Sequence, residues 1–170
     1  EDIVISGDEE NKIIFLGDYI DRGKQNIKVL DFISQLQNKS NIENIFLLGN
    51  HEQIFMEAME SPLDKNKVYM WINNGGLNFM HESGNVEWDY FHQTFPWGPY
   101  VRWFQRNLQK YHETEDYIFV HGGLDIRQPH MAKQDAEYLI WARHLQKDWY
   151  SGFHKLVVHG HTPSYDAMID

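Results

Sequence analysis

Four short stretches of this sequence combine Asp, Asn and His with glycine, and each directly follows a run of apolar residues. They are Gly17-Asp18-Tyr19-Ile20-Asp21-Arg22-Gly23, Gly49-Asn50-His51-Glu52, His121-Gly122-Gly123 and His159-Gly160-His161-Thr162. Glycine lets a backbone turn sharply and approach a ligand closely. Loops at the carboxyl ends of strands in an open α/β sheet converge on one crevice. The pattern therefore places Asp18, Asn50, His121 and His161 around a common point. Oxygen and imidazole ligands of this kind suit Mn, Fe or Zn and not a soft thiolate metal. Any one cluster alone reads as a turn or as a hydrogen-bonded buried histidine; four in the same position after a strand read as a metal centre. His159 either supports His161 from behind or is the polar end of a strand. His81, His92, His112, His130, His144 and His154 match no motif and read as surface or packing residues.

The composition agrees with that chemistry. Ten histidines and no cysteine exclude disulfides, thiolate zinc sites and a cysteine nucleophile together. The net charge of −10 makes nucleic acid an unexpected partner, because phosphate contacts need clustered Lys and Arg. Bound divalent cations would offset part of that charge. Apolar residues at 42% and charged residues at 24% are an ordinary globular mix. No apolar run approaches the roughly 20 residues of a membrane helix, and no basic segment followed by an apolar one opens the chain. The expectation is a cytoplasmic protein without a membrane partner. The Trp and Tyr content reads as core and loop packing more than as a base-stacking surface.

Four apolar runs must carry the loops: residues 12–16, 44–48, 116–120 and 155–158. Their continuous apolarity predicts strands covered on both faces. Ile27, Leu30, Ile33 and Leu36 recur at helical spacing, as do Val101, Phe104, Leu108 and Tyr111. A further helix over residues 51–59 follows the second strand directly. Residues 61–99, rich in Trp, Phe, Asn and Gly, predict short helices and loops over one sheet edge. No repeat or linker interrupts the 170 residues, so one domain is expected over 1–170.

GDYIDRG at 17–23, GNHE at 49–52, HGGL at 121–124 and GHTP at 160–163 resemble, in this order, the motifs of calcineurin-like metallophosphoesterases. More narrowly they look like the phosphoprotein phosphatase branch, which includes the bacteriophage lambda phosphatase and its bacterial relatives. Trp71-Ile72-Asn73-Asn74-Gly75-Gly76 and Trp141-Ala142-Arg143 look like that branch too. The resemblance spans residues 12–163 and implies an α/β fold, a β-sandwich flanked by helices. It implies two divalent metals, with Mn expected first and Fe or Zn allowed by the ligands.

Position by position, the resemblance makes Asp18 the carboxylate bridging both metals, with Asn50, His121 and His161 completing the second. His51 becomes the general acid, oriented by Asp21, and Arg22 and Arg143 hold the phosphate oxygens. The implied reaction is phosphomonoester hydrolysis by direct attack of a metal-bridging hydroxide on a phosphorylated protein or small phosphoester. Phosphoserine or phosphothreonine is the first substrate expected, and phosphotyrosine the next. A hydrolase of dinucleoside polyphosphates, of the diadenosine tetraphosphatase kind, shares the motifs. An RNA-end phosphatase is a third reading, and a non-catalytic remnant that binds phosphate ligands is the alternative outside enzymes. The physical logic is sound: two metals about 3.5–4 Å apart neutralise the phosphoryl group, and an Arg fork matches its oxygens.

The resemblance breaks at both ends. The family's Asp-x-His motif, which supplies the first metal's own ligands, should precede GDYIDRG, yet no Asp-x-His stands before Asp18. Gly7-Asp8-Glu9-Glu10 has Glu where His is needed, and reads as a solvated turn. The chain also stops nine residues after His161. The expectation is a fold incomplete at both ends, with parts of a longer protein missing. The sequence is silent on oligomeric state.

Overall fold

The computed structural model describes residues 11–39, 42–143 and 153–163. The Gly7–Glu10 turn and His144 lie outside these residues. Strand β1 (Lys12–Phe15) runs parallel to β2 (Glu43–Leu47), with Phe15 opposite Phe46. A parallel pair needs a crossover, and helix α1 (Asn26–Lys39) supplies it. The predicted stripe faces the sheet: Leu30 and Ile33 are buried in the main core, and Ile27 and Leu36 pack against it. Helix α2 (Asn50–Glu60) leaves the end of β2 after only Leu48 and Gly49.

The aromatic middle of the chain folds as short helices: α3 (Lys65–Trp71), a π-helical turn (Ile72–Gly76), α4 (Leu77–Glu82), α5 (Trp88–Thr94) and α6 (Trp97–Asn107). They bury a continuous aromatic stack. Trp71 lies 5.5 Å from Phe91 and 5.4 Å from Phe55, centroid to centroid, and Phe55 stacks on Phe79 at 5.6 Å. The Trp and Phe content is thus packing.

The helical spacing through Val101, Phe104, Leu108 and Tyr111 breaks before its end. Helix α6 stops at Asn107, Leu108 turns extended (φ −83°, ψ 127°), and Leu108–Gln109 pair with β2 as strand β3. Tyr111 opens strand β4 (Tyr111–Glu113). Leu108 and Tyr111 are apolar because each packs against a core, the first against the α1 side and the second against the opposite sheet. Sheet pairing overrides the periodicity that their burial mimics.

β4 lies antiparallel to β5 (Tyr117–Val120), which runs parallel to β6 (Leu156–His159). Between them, among the described residues, come a 3-10 turn (Met131–Lys133) and helix α7 (Ala136–Trp141). Two three-stranded sheets result, ordered β1-β2-β3 and β4-β5-β6. They meet where β2 runs beside β4, and Leu48, just past β2, packs against the core of the second sheet. Strands β2 and β5 hold the most buried residues, whereas β1 and β6 are only partly covered. Trp141 packs against both cores.

Candidate active site

The loop after β1 turns at Gly17 (φ +93°), where a Cβ would sit 2.7 Å from the Gly49 nitrogen and 2.8 Å from His121 Nδ1. Three loops therefore touch at one point, and only glycine leaves room for them. Gly49 is equally tight, since a Cβ there would strike the backbone and carboxylate of Asp18. Asp18, Asp21, Arg22 and His161 all take left-handed φ values, of 59°, 70°, 46° and 61°. Such conformations cost about 1–3 kcal/mol each in non-glycine residues and gather at functional sites.

Four side chains converge there. His121 Nδ1 donates to the Leu16 carbonyl at 2.5 Å, which leaves Nε2 with its lone pair exposed to the site. That nitrogen faces Asp18 Oδ1, Asn50 Oδ1 and His161 Nδ1, each at 3.2 Å. Both imidazoles are pushed towards the neutral form. Burial lowers the His121 pKa, and burial with the charges of His121 and Arg143 takes His161 down to about 4. Protons do not satisfy this arrangement. If His161 donates to His121, the Asp18 and Asn50 oxygens still press on an acceptor, and His161 Nε2 stays buried without a hydrogen-bond partner. A divalent cation would be held by Asp18 Oδ1, Asn50 Oδ1, His121 Nε2 and one ring nitrogen of His161 together, and the ligand atoms of Asp18, His121 and His161 lie within 4.8 Å of one another. This is the one such cluster of His and carboxylate ligands among the described residues.

Beside the cluster, His51 and Asp21 form a buried pair at 2.8 Å from Nδ1 to Oδ2, with their side chains 3% and 0% exposed. Trp71 Nε1 donates to the other Asp21 oxygen at 2.9 Å. With the indole N–H on one Asp21 oxygen and the His51 ring nitrogen on the other, the arrangement suits an ionised Asp21 facing a protonated His51. Burial alone lowers the His51 pKa, but the Asp21 hydrogen bond and the charges of Asp18 and Asp21 outweigh it, and the net shift is upward. Burial likewise raises the Asp21 carboxyl, against the pull of its two donors.

The two arginines are exposed. The Arg22 charge acts on His51, while the Arg143 charge acts on His121 and His161. Arg22 is held by its loop: Nε donates to the Asn74 carbonyl at 3.3 Å, and Asn78 Nδ2 donates to the Arg22 carbonyl at 2.9 Å. The π-helical turn makes this dock possible, because Gly75 (φ +118°) would carry a Cβ 2.7 Å from Arg22 Cγ.

The structure thus gathers Asp18, Asn50, His121 and His161, sets the His51–Asp21 pair beside them and flanks the site with Arg22 and Arg143. His159 stays out of the cluster; its Nδ1 lies 3.3 Å from the Gly160 carbonyl. A match to the model of the calcineurin-like phosphoesterases covers residues 2–169. The chain belongs to this family. Its members bind two divalent metals and hydrolyse phosphoesters, which makes this protein a phosphoester hydrolase by family. No curated protein matches the chain.

Family motifs alone gave Glu52 no role, yet it organises the centre. Fully buried, its Oε2 accepts from the N–H groups of Asp18 (2.9 Å) and Gly49 (3.1 Å). Its Oε1 accepts from Tyr19 (2.7 Å) and Ile20 (3.2 Å). Burial and the Asp18 charge push its carboxyl up to about 8, against the pull of those N–H groups. A cation on Asp18 reverses the second of these causes and favours the carboxylate that the four donors require. The one sequence signal was Glu at the third position of a helix that starts after Gly49, where a side chain reaches back to the turn.

Proposed function

We propose that the protein is a phosphomonoesterase acting on phosphorylated proteins, phosphoserine and phosphothreonine first. The observation that carries this reading is the buried His51–Asp21 pair, 2.8 Å apart, beside a cluster of ligands fit to hold a cation. Asp18, Asn50, His121 and His161 would hold a divalent metal, Mn first among those allowed. A bound metal of this kind supplies charge neutralisation of the phosphoryl group and a water of lowered pKa. The remaining steps belong to the chain itself. Arg22 and Arg143 hold the phosphate oxygens with planar, charge-assisted forks. His51 Nε2, at the far end of the ring from Asp21, gives its proton to the leaving alkoxide. Asp21 keeps that ring oriented and charged until it does, and Trp71 keeps Asp21 in place. No nucleophilic side chain is needed, so water attacks phosphorus directly and no phosphoenzyme forms. Asp18 keeps 30% of its side chain exposed, and an open site of this kind admits a phosphorylated side chain projecting from a protein.

The test is a substrate panel in Mn-containing buffer: phosphoserine, phosphothreonine and phosphotyrosine peptides, dinucleoside polyphosphates, and mono- and bis-p-nitrophenyl phosphate. The expected order of kcat/KM puts phosphoserine and phosphothreonine peptides first and the monoester above the diester. Preference for dinucleoside polyphosphates would replace the protein-phosphatase reading, and binding of phosphate without turnover would favour a non-catalytic module.

A further inference from the structure

Gln53 lies two residues beyond His51 and bridges helices α2 and α7. Its Oε1 accepts from Trp141 Nε1 at 2.9 Å, and its Nε2 donates to Glu57 at 3.0 Å and to Glu137 at 3.2 Å. An indole N–H only donates and carboxylates only accept, so these partners settle the orientation of the amide. A side chain that accepts on one atom and donates twice from the next is what this position requires, and a carboxamide supplies it. With Ile54, Glu57, Met70, Glu137 and Trp141, Gln53 lines a cleft of about 270 Å³, so solvent reaches the wall but not the aromatic core.

Trp141 is the last residue of α7, and Arg143 follows two residues later on extended backbone (Ala142 φ −62°, ψ 140°). The same helix end is held from the other side by the metal loop. The Gly122 N–H donates to the Leu139 carbonyl at 2.7 Å, and a Cβ at Gly122 would lie 2.8 Å from the Ile140 carbonyl carbon. The Trp141 ring meets the His161 ring edge-on at 6.3 Å. Only Gln53 ties the Trp141 ring by hydrogen bond to the helix that carries Asn50 and His51.

We propose that Gln53 is a positioning residue for phosphate binding: through Trp141 it sets the end of α7 and thereby aims Arg143 at the phosphate group that Arg22 also holds. Arginine loses about 2 kcal/mol of rotamer entropy when immobilised, so a free-swinging α7 end would spend binding energy on ordering it. The inference rests on Arg143 as a phosphate ligand, as put forward above, but not on turnover.

The test therefore reads binding. Inorganic phosphate is titrated calorimetrically into the Mn-loaded protein and into its Gln53→Leu, Trp141→Phe and Arg143→Ala variants, with metal content and Tm recorded for each. Gln53→Leu and Trp141→Phe break the same hydrogen bond from opposite ends. Each is expected to weaken phosphate about tenfold, the size of one lost hydrogen bond of about 1.4 kcal/mol, at unchanged metal content. Gln53→Leu/Trp141→Phe should bind no more weakly than either single variant, and Gln53→Leu should add nothing on an Arg143→Ala background. Unchanged phosphate binding in both single variants, or losses that multiply with Arg143→Ala, would overturn the proposal. Should one variant fail to fold, the other carries the same comparison. A protein that binds phosphate in this pattern but turns over no substrate would sink the phosphatase reading and leave this one standing.

Discussion

Glu52 and Asp18 are joined through the backbone and not through their charges: the Glu52 carboxylate takes the Asp18 N–H at 2.9 Å while both side chains are acids. The contact holds Asp18 in its left-handed conformation, with its own carboxylate turned towards His121. Without a cation, the two acids oppose each other, and the Asp18 charge is the second cause, after burial, of the raised Glu52 pKa.

Stability should therefore depend on pH in the chelated protein. A carboxyl raised from its ordinary value to about 8 stabilises the fold fully below that ordinary value, and the contribution is lost as pH rises through about 8. Between pH 6 and 9 the Tm of the chelated protein should fall, and that of the Mn-loaded protein should fall less. Glu52→Gln, which mimics the protonated acid, should flatten the chelated profile. It should destabilise the loaded form more, by about 1.5–3 kcal/mol for lost hydrogen bonds to a charged group. Thermal melts across this range decide the point, and parallel profiles with and without metal would refute it.

His51→Asn removes the proton donor proposed above and leaves Asp18, Asn50, His121 and His161 in place. Turnover of p-nitrophenyl phosphate and phosphopeptides should drop about 10²–10⁴-fold, with metal stoichiometry unchanged. Loss of metal in this variant would contradict the role assigned to His51.

The alkaline limb of kcat against pH should follow His51. Its pKa is raised, so the acid stays protonated above the ordinary histidine range and activity is lost as pH rises through the shifted value. Asp21→Asn removes a hydrogen-bonding charge that supports the cation, and should move this limb towards lower pH. A limb that stays where it was would mean that another group sets it.

Ligand removal separates the cluster from its neighbours. Asp18→Asn and His161→Ala should each lower the metal bound after desalting, whereas Arg22→Ala should leave it intact while weakening phosphate. Elemental analysis of the three variants measures this directly. Equal metal content in all of them would show that the cation sits elsewhere.

Much of this was legible because glycine and strand ends mark it. Asp18, Asn50, His121 and His161 each follow an apolar run, and α1 was readable from the Ile27–Leu30–Ile33–Leu36 spacing. What escaped depends on contacts between distant segments. Trp71 reads as one more aromatic residue until its indole N–H is seen on Asp21, 50 positions away. Gln53 reads as a helix surface residue until Trp141, 88 positions on, donates to it. Leu108 misled in the other direction, because a residue that must be buried beside β2 looks the same whether the backbone there is helical or extended.

The His121 ring reaches the Leu16 carbonyl across 105 positions and the His161 ring across 40. A nascent chain emerging from the ribosome therefore has no assembled ligand cluster until β6 has been made and docked, since the four ligands come from loops spread along almost the whole described chain. Early in synthesis it carries scattered single ligands with little hold on any ion. Metal capture at this cluster would thus report a finished topology.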